Sequence, residues 1–432
     1  YTLTVTKAGQ TVTLTPGAGT SWDTGCDTPG SYRITKTLGD APFFVTGSAA
    51  LLDSGSIFIA YEASEEKDTA GAGADVVAVE SDGRVTMKAA GTATITVTAG
   101  GTENLEQGQA TYQLVIQKAD AQLTLGDQSF PYTGSAITEY KTASVTNAGH
   151  GAAGVDTSKI SYTFFRDDSG SHGSQMSSAP SDAGTYWLRA ELNGDPNYQD
   201  KYVIAKVTID AAGLQVDLDG YNGVYDGTEH AAAAVSSVTG AAGEVSDYDL
   251  FFVVTDTDSQ PAADDSRWDT PLQVRDVADS SGSARYYWYK VEADNHTPAV
   301  SSFTVSITPA ELMVTPTLSQ SDKAYDGSET FETGWISSSS VAGEAEGESI
   351  LASAVSAAYD GKDAAEDRTI TIQYTLTAKG GASLDNYSYG DVALSGTNAN
   401  VTAEATGSIT PRTVTVTAPG QTMTYNGGTT FT

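Results

Sequence analysis

A Tyr-x-Gly tripeptide returns four times at nearly constant spacing, and that recurrence restricts the chain to architectures that repeat. The copies are Tyr132-Thr133-Gly134, Tyr225-Asp226-Gly227, Tyr325-Asp326-Gly327 and Tyr425-Asn426-Gly427, at Tyr-to-Tyr intervals of 93, 100 and 100 residues. An interval of about 100 residues is the size of a whole domain. Each copy follows a strand-like opening, at Leu123–Leu125, Leu214–Leu218, Leu312–Val314 and Val414–Val416. Full modules close on Ile209-Asp210-Ala211, Ile307-Thr308-Pro309-Ala310 and Ile409-Thr410-Pro411-Arg412, junctions too short to act as flexible tethers. The expectation is a semi-rigid array of modules.

Within modules the dominant pattern is alternation with period two. In 92–99, Ala93, Ile95, Val97 and Ala99 face one side and Thr92, Thr94, Thr96 and Thr98 the other. The same reading fits Val203, Ala205, Val207 and Ile209; Phe303, Val305 and Ile307; and Ile370, Ile372, Tyr374 and Leu376. β-Branched side chains suit a pleated surface, and clusters of Gly, Asn, Asp and Ser between the runs supply turns. No long amphipathic helix is evident. The fold class is therefore all-β: tandem immunoglobulin-like β-sandwich modules in an elongated array, with β-grasp-like repeats after the first module as the alternative.

The tripeptide has a structural reading. Asp-Gly and Asn-Gly accept positive φ in tight turns, and a tyrosine beside the turn can lay its ring over the end of a sandwich while its hydroxyl reaches water or backbone. Tyr132, Tyr225, Tyr325 and Tyr425 are accordingly expected to be structural.

Several motifs together resemble known families. The Tyr-Asp-Gly opening, the Asp182-Ala183-Gly184-Thr185-Tyr186 strand entry, the Asn197-Tyr198 and Asn386-Tyr387 pairs and the Ile-Thr-Pro closing resemble the MBG and YDG repeats of bacterial surface proteins. Residues 311–412 carry most of these features, and 212–310 depart most, with Asp294-Asn295-His296 in place of an Asn-Tyr pair. The stretch Val79–Thr86, turning through Asp82-Gly83, and the run Ala89–Val97 that follows resemble the closing hairpins of the group-2 bacterial Ig-like family. The resemblances imply an Ig-like module over 1–118, repeats over 119–211, 212–310 and 311–412, and the start of a further repeat over 413–432. They also imply a secreted protein on the bacterial cell surface.

Charge narrows the functions. Against 22 basic residues stand 55 acidic ones, a net charge of −33. Such a surface repels phosphate backbones and anionic headgroups, so nucleic-acid binding is disfavoured. No run approaches 18 apolar residues, and no membrane insertion is expected. One cysteine, Cys26, closes no internal disulfide, so packing and β-ladders must hold the modules.

Catalytic constellations are missing from the sequence. His150, His172, His230 and His296 fall in different modules or loops, with neither zinc-type spacing nor a G-x-S-x-G elbow nearby. The expectation is no enzyme. Asp256, Asp258, Asp264, Asp265 and Asp269 crowd one loop, and Asp360, Asp363, Glu366 and Asp367 another. Neither follows the EF-hand pattern, so both read as solvated loops requiring no cofactor, with Ca²⁺ at Asp256, Asp258, Asp264 and Asp265 as the alternative. Recognition points to aromatics: Tyr186 beside Trp187, and the run Tyr286-Tyr287-Trp288-Tyr289. Alternation sends Tyr286 and Trp288 to one face of a strand and Tyr287 and Tyr289 to the other, so one pair belongs to the core. The opposite pair would form an exposed stripe, making Tyr186, Tyr286 and Trp288 the candidate ligand-binding residues.

The leading expectation for function is a non-catalytic stalk or adhesive segment. A module capturing a host glycan such as mucin, or a host protein such as immunoglobulin, is the second. The third is self-association into a filament by exchange of a terminal strand, with residues 1–6 or the run at Val414 and Val416 as donors.

Overall fold

Where alternation is strongest, the chain forms sheet. The computed structural model describes residues 1–50, 57–146, 154–168, 174–282 and 284–420, so His150, His172 and Tyr425 lie outside the described residues. The chain divides into two compact units, Tyr1–Ala212 and Gly213–Thr432.

In the first unit, one four-stranded sheet combines Val12–Pro16, Phe43–Ala49, Arg84–Met87 and Val77–Val79. A second combines Arg33–Thr37, Gly108–Gln117, Gly91–Ala99 and Ile59–Asp68. Val12, Leu14, Val45 and Val85 from one and Ile34, Ile95, Val97 and Leu114 from the other meet in a single apolar cluster, which makes this a β-sandwich. Gly91–Ala99 alternates as its sequence demands, with Ala93, Ile95, Val97 and Ala99 all buried. Later in the same unit, Gln128–Pro131, Lys201–Asp210, Gly184–Leu192 and Ile160–Phe165 form a sheet, and Gln122–Thr124 pairs with Ser144–Thr146.

In the second unit, Asp249–Thr255, Tyr286–Glu292 and Ala299–Phe303 form one sheet, with Gln215–Gly220 and Ala233–Gly240 in another. Beyond them, Asp322–Ala324, Asn398–Thr410, Ala365–Lys379 and Ser349–Tyr359 form a four-stranded sheet, and Met313–Leu318 pairs with Ile336–Ala342. Ile370, Ile372, Tyr374 and Leu376 are fully buried along the central strand of that sheet. The run at Phe303, Val305 and Ile307 keeps its alternation but changes partners. Phe303 pairs with Tyr287, whereas Ser306–Thr308 pairs with Asn222–Val224.

A single topological feature recurs in all four stretches. A short early strand runs parallel to the last one: Arg33–Thr37 beside Gln113–Gln117, Gln128–Pro131 beside Val207–Asp210, Asn222–Val224 beside Ser306–Thr308, and Asp322–Ala324 beside Ser408–Thr410. Antiparallel ladders closed by a parallel first-to-last pair make these tandem Ig-like sandwiches. A β-grasp would have to pack a helix on its sheet, and among the described residues the regular structure is strand and short 3-10 turn.

Candidate functional site: a tyrosine clasp between modules

The tripeptide's position follows from the parallel pair. Immediately after the short early strand, the tyrosine amide donates to a carbonyl at the end of the last strand. The bonds are Tyr132 to Asp210 at 2.9 Å, Tyr225 to Thr308 at 2.9 Å and Tyr325 to Thr410 at 2.8 Å. The tripeptide is thus held where the chain leaves one module for the next. Its glycine sits in the left-handed region, at φ 76° for Gly134, 79° for Gly227 and 85° for Gly327, a conformation in which a Cβ is costly. In two copies the aspartate tightens the turn. Asp226 Oδ1 accepts from the Thr228 amide at 2.9 Å, and Asp326 Oδ1 from the Ser328 amide at 2.9 Å. Those bonds favour the charged carboxylate and hold Asp226 at about 2, with the Thr228 amide as the leading cause.

What the tyrosine meets beyond its own module is the unexpected part. Tyr225 is only 3% exposed. Its hydroxyl donates to Glu348 Oε1 at 2.6 Å, and the hydroxyl of Tyr387 donates to Glu348 Oε2 at 2.6 Å. The two rings meet edge to face, with centroids 5.5 Å apart. Arg275 bridges the same two stretches, donating from Nε to the Gly227 carbonyl at 2.8 Å and from Nη2 to Glu348 at 3.4 Å. Tyr387 Oη also accepts from the Ala345 amide at 3.0 Å. Burial, followed by the bond to Glu348, pushes the Tyr225 phenol up to about 12, and the same causes raise Tyr387 above the ordinary tyrosine range. One carboxylate thus ties together two phenols separated by 162 positions.

The neighbouring asparagine completes the contact. Asn386 Oδ1 accepts from the Val277 amide at 2.9 Å, and its Nδ2 donates to Asp276 Oδ1 at 3.0 Å. The other Asn-Tyr pair does the same thing in the first unit, where Asn197 Oδ1 accepts from the Ala90 amide at 2.9 Å. Tyr198 and Tyr387 are both fully buried. Parallel bridges from Ala119 to Tyr198 and from Ala310 to Tyr387 bind the start of each of these two modules to its own Asn-Tyr segment. Around Tyr198, Asp195 orders the turn. Its Oδ1 accepts from the amides of Asn197 at 2.8 Å and Tyr198 at 3.0 Å, and Lys118 Nζ reaches its carbonyl at 2.7 Å. The junction residues Ala119, Ala121, Ala310 and Leu312 are buried, so the short connectors are packed segments.

Residues 308–394 match the YDG domain family. That match spans the Tyr325 tripeptide, Glu348 and the Asn386-Tyr387 pair. No curated protein matches the chain. Among solved structures, ICAM-5 D1–D4 ectodomain fragment is 11% identical over 93% of this chain and 99% of its own, with a TM-score of 0.28. Sidekick-1 immunoglobulin domains 1–5 are 12% identical over 88% of this chain and 79% of their own, at a TM-score of 0.25. A titin I67–I69 variant is 9% identical over 63% of this chain and 95% of its own, also at 0.25. At such scores these likenesses carry no argument, and the fold rests on the strand pairing above.

The aromatic residues expected to bind ligands occupy other surroundings. Tyr186 is 6% exposed in a cluster with Phe164, Leu188, Val207 and Ile209, and its hydroxyl donates to the Asp182 carbonyl at 3.0 Å. Trp288 is also 6% exposed, and its Nε1 donates to Thr255 Oγ1 at 3.0 Å. Tyr286 is half-buried. The expected exposed stripe is corrected on this point: Tyr287 and Tyr289 lie in the core, and the opposite face is covered too. The cover is the loop after Thr255, from which the Ala263 carbonyl takes a bond from Lys290 Nζ at 3.2 Å and the Trp268 ring lies 5.7 Å from that nitrogen. Alternation assigns two faces to a strand but does not say which of them a loop will cover.

The acidic loop residues do not converge. Asp256, Asp258 and Asp264 are exposed, while Asp265 makes a bidentate pair with Arg267, at 3.0 and 2.8 Å. The Arg267 bonds hold Asp265 at about 2. Among the described residues no group of three or more His, Cys, Asp or Glu is placed to hold a metal ion. Among them, too, no helix is long and apolar enough to cross a membrane. Cys26 is a free thiol.

Glu348, Arg275 and Asp276 were not legible as site residues in the sequence. A usable signal was present nonetheless. The Tyr225-Asp226-Gly227 tripeptide is followed one module later by the Asn386-Tyr387 pair, and the contact joins the two across modules.

Proposed function

We propose that the chain is a non-catalytic stalk segment of a secreted bacterial cell-surface protein, in which clasped modules hold an adhesive region away from the cell. The observation that carries this reading is the clasp of Tyr225, Glu348 and Tyr387, together with the repeated grip of Asn197 and Asn386 on a backbone amide of the preceding module. A connector that packs its residues and locks a buried carboxylate between two phenols resists bending and pulling far better than a solvated linker. We assign 1–118 as a group-2 Ig-like module and 119–211, 212–310 and 311–412 as MBG/YDG-type repeats, 413–432 opening a further one. A host glycan or protein would bind surfaces other than buried Trp288.

Negative-stain microscopy with light-scattering mass tests the proposal. Monodisperse rods of monomer mass are expected. Regular fibres or a mass many times that of the chain would replace the stalk with a self-assembling filament, to which the exposed apolar residues Leu3, Val5, Val414 and Val416 would be candidate donors.

A further inference from the structure

Two tripeptides with the same local geometry stand in opposite surroundings. Tyr225 and Tyr325 share the amide bond to the last strand, the left-handed glycine and the aspartate-tightened turn. Tyr225 is 3% exposed and Tyr325 is 37% exposed. A Cβ on Gly227 would lie 3.0 Å from Ala345 Cβ, whereas a Cβ on Gly327 would meet nothing within 4 Å. What covers the first tripeptide is a known object: the Glu348, Asn386 and Tyr387 end of residues 311–412.

We propose that the Tyr325-Asp326-Gly327 end of residues 311–412 is a docking face for a further module of that same kind, seated through its own counterparts of Glu348, Asn386 and Tyr387. The seat is already rigid. Lys323, 8% exposed, donates from Nζ to Asp326 Oδ1 at 3.2 Å and to the carbonyls of Ser328 and Thr330 at 2.9 Å each, and packs over the Tyr359 ring. The turn therefore needs no rearrangement to receive a partner, which limits the ordering cost of docking. An incoming carboxylate would accept from the Tyr325 hydroxyl as Glu348 does from Tyr225. The second half of the grip is built differently here. The long loop 256–285 supplies Arg275 and Asp276 to the occupied junction, and its counterpart is the short loop 360–364, which carries Asp360, Lys362 and Asp363.

The inference rests on the clasp reading above, and one experiment separates the two. The full chain is compared with an extended chain in which a second copy of residues 309–432, itself carrying Tyr325→Phe so that the original Tyr325 is read alone, follows Thr410, and nitration of Tyr225 and Tyr325 by tetranitromethane is followed by peptide mass spectrometry. In the unextended chain Tyr325 should react at least about 10-fold faster than Tyr225. In the extended chain Tyr325 should slow to the Tyr225 rate. An extended chain whose added copy carries Asn386→Ala and Tyr387→Phe should regain fast Tyr325 reaction while keeping its far-ultraviolet circular dichroism. Tyr325 reacting equally fast in both chains, with Tyr225 still protected, overturns the docking face and leaves the clasp standing. Equal reactivity of the two tyrosines in the unextended chain overturns the clasp and the docking face together.

Discussion

Removing one oxygen from each of two equivalent tyrosines separates the clasp from the turn that holds it. In Tyr225→Phe the ring remains against Tyr387, and what is lost is the 2.6 Å bond to Glu348. Hydrogen bonds to charged groups contribute about 1.5–3 kcal/mol each. The value for Tyr225 belongs in that range, because its hydroxyl is only 3% exposed as a residue and Glu348 only 10% exposed as a side chain. Tyr325→Phe removes a hydroxyl from a residue 37% exposed, and such surface changes stay within about 0.5 kcal/mol. A chain of several modules does not unfold in one step, so local opening is the better readout. The Val277 amide donates to Asn386, and the Ala345 amide to Tyr387, so both report on the clasp directly. Hydrogen exchange of peptides covering 273–280 and 343–350 should accelerate roughly 10- to 150-fold in Tyr225→Phe, at about 1.4 kcal/mol per tenfold, and less than about threefold in Tyr325→Phe. Equal effects from the two substitutions, or none from Tyr225→Phe, would refute the assignment of the Glu348 bond as the tie between these segments.

Glu348→Ala leaves two buried phenols without their shared acceptor and should cost about 3–5 kcal/mol, more than either tyrosine-to-phenylalanine change, as read from the midpoint of the first thermal transition. The Tyr225 phenol is held neutral, with its pKa raised to about 12. Its stabilising contribution is therefore complete below the ordinary tyrosine value of about 10 and is lost as pH rises through 12, so the wild-type minus Tyr225→Phe absorbance at 295 nm should titrate near 12. A difference curve centred near 10 would contradict the buried contact. Gly227→Ala and Gly327→Ala both place a Cβ in the left-handed region, at about 1–2 kcal/mol each. Gly227→Ala also presses a methyl against Ala345, so it should lower the thermal midpoint further than Gly327→Ala does. Trp288→Ala should destabilise by about 3–5 kcal/mol, visible in near-ultraviolet circular dichroism and denaturation, because the residue is buried and its Nε1 is bonded to Thr255.

Much of the architecture follows from residue order alone. Ala93, Ile95, Val97 and Ala99, or Ile370 through Leu376, can bury one side only as strands, because their period is two and their intervening residues are polar or β-branched. Asp226-Gly227 and Asp326-Gly327 likewise dictate their own turns, since the positive φ and the aspartate bond are made within three residues. These are local determinants, and a local pattern suffices to read them.

The clasp depended on long-range placement. Tyr225 finds Glu348 across 123 positions and Asn386 finds Val277 across 109, and no short-range pattern marks a glutamate as the acceptor for a tyrosine in the preceding module. The same limit applies to Trp288, whose burial was decided by a loop folding back over its face and not by the alternation of its strand. Sequence by itself determined the strands, the turns and the repeat. Only the tertiary structure decided which turn is covered and which stands open, because burial is a property of the surfaces that meet and not of the residues that carry them.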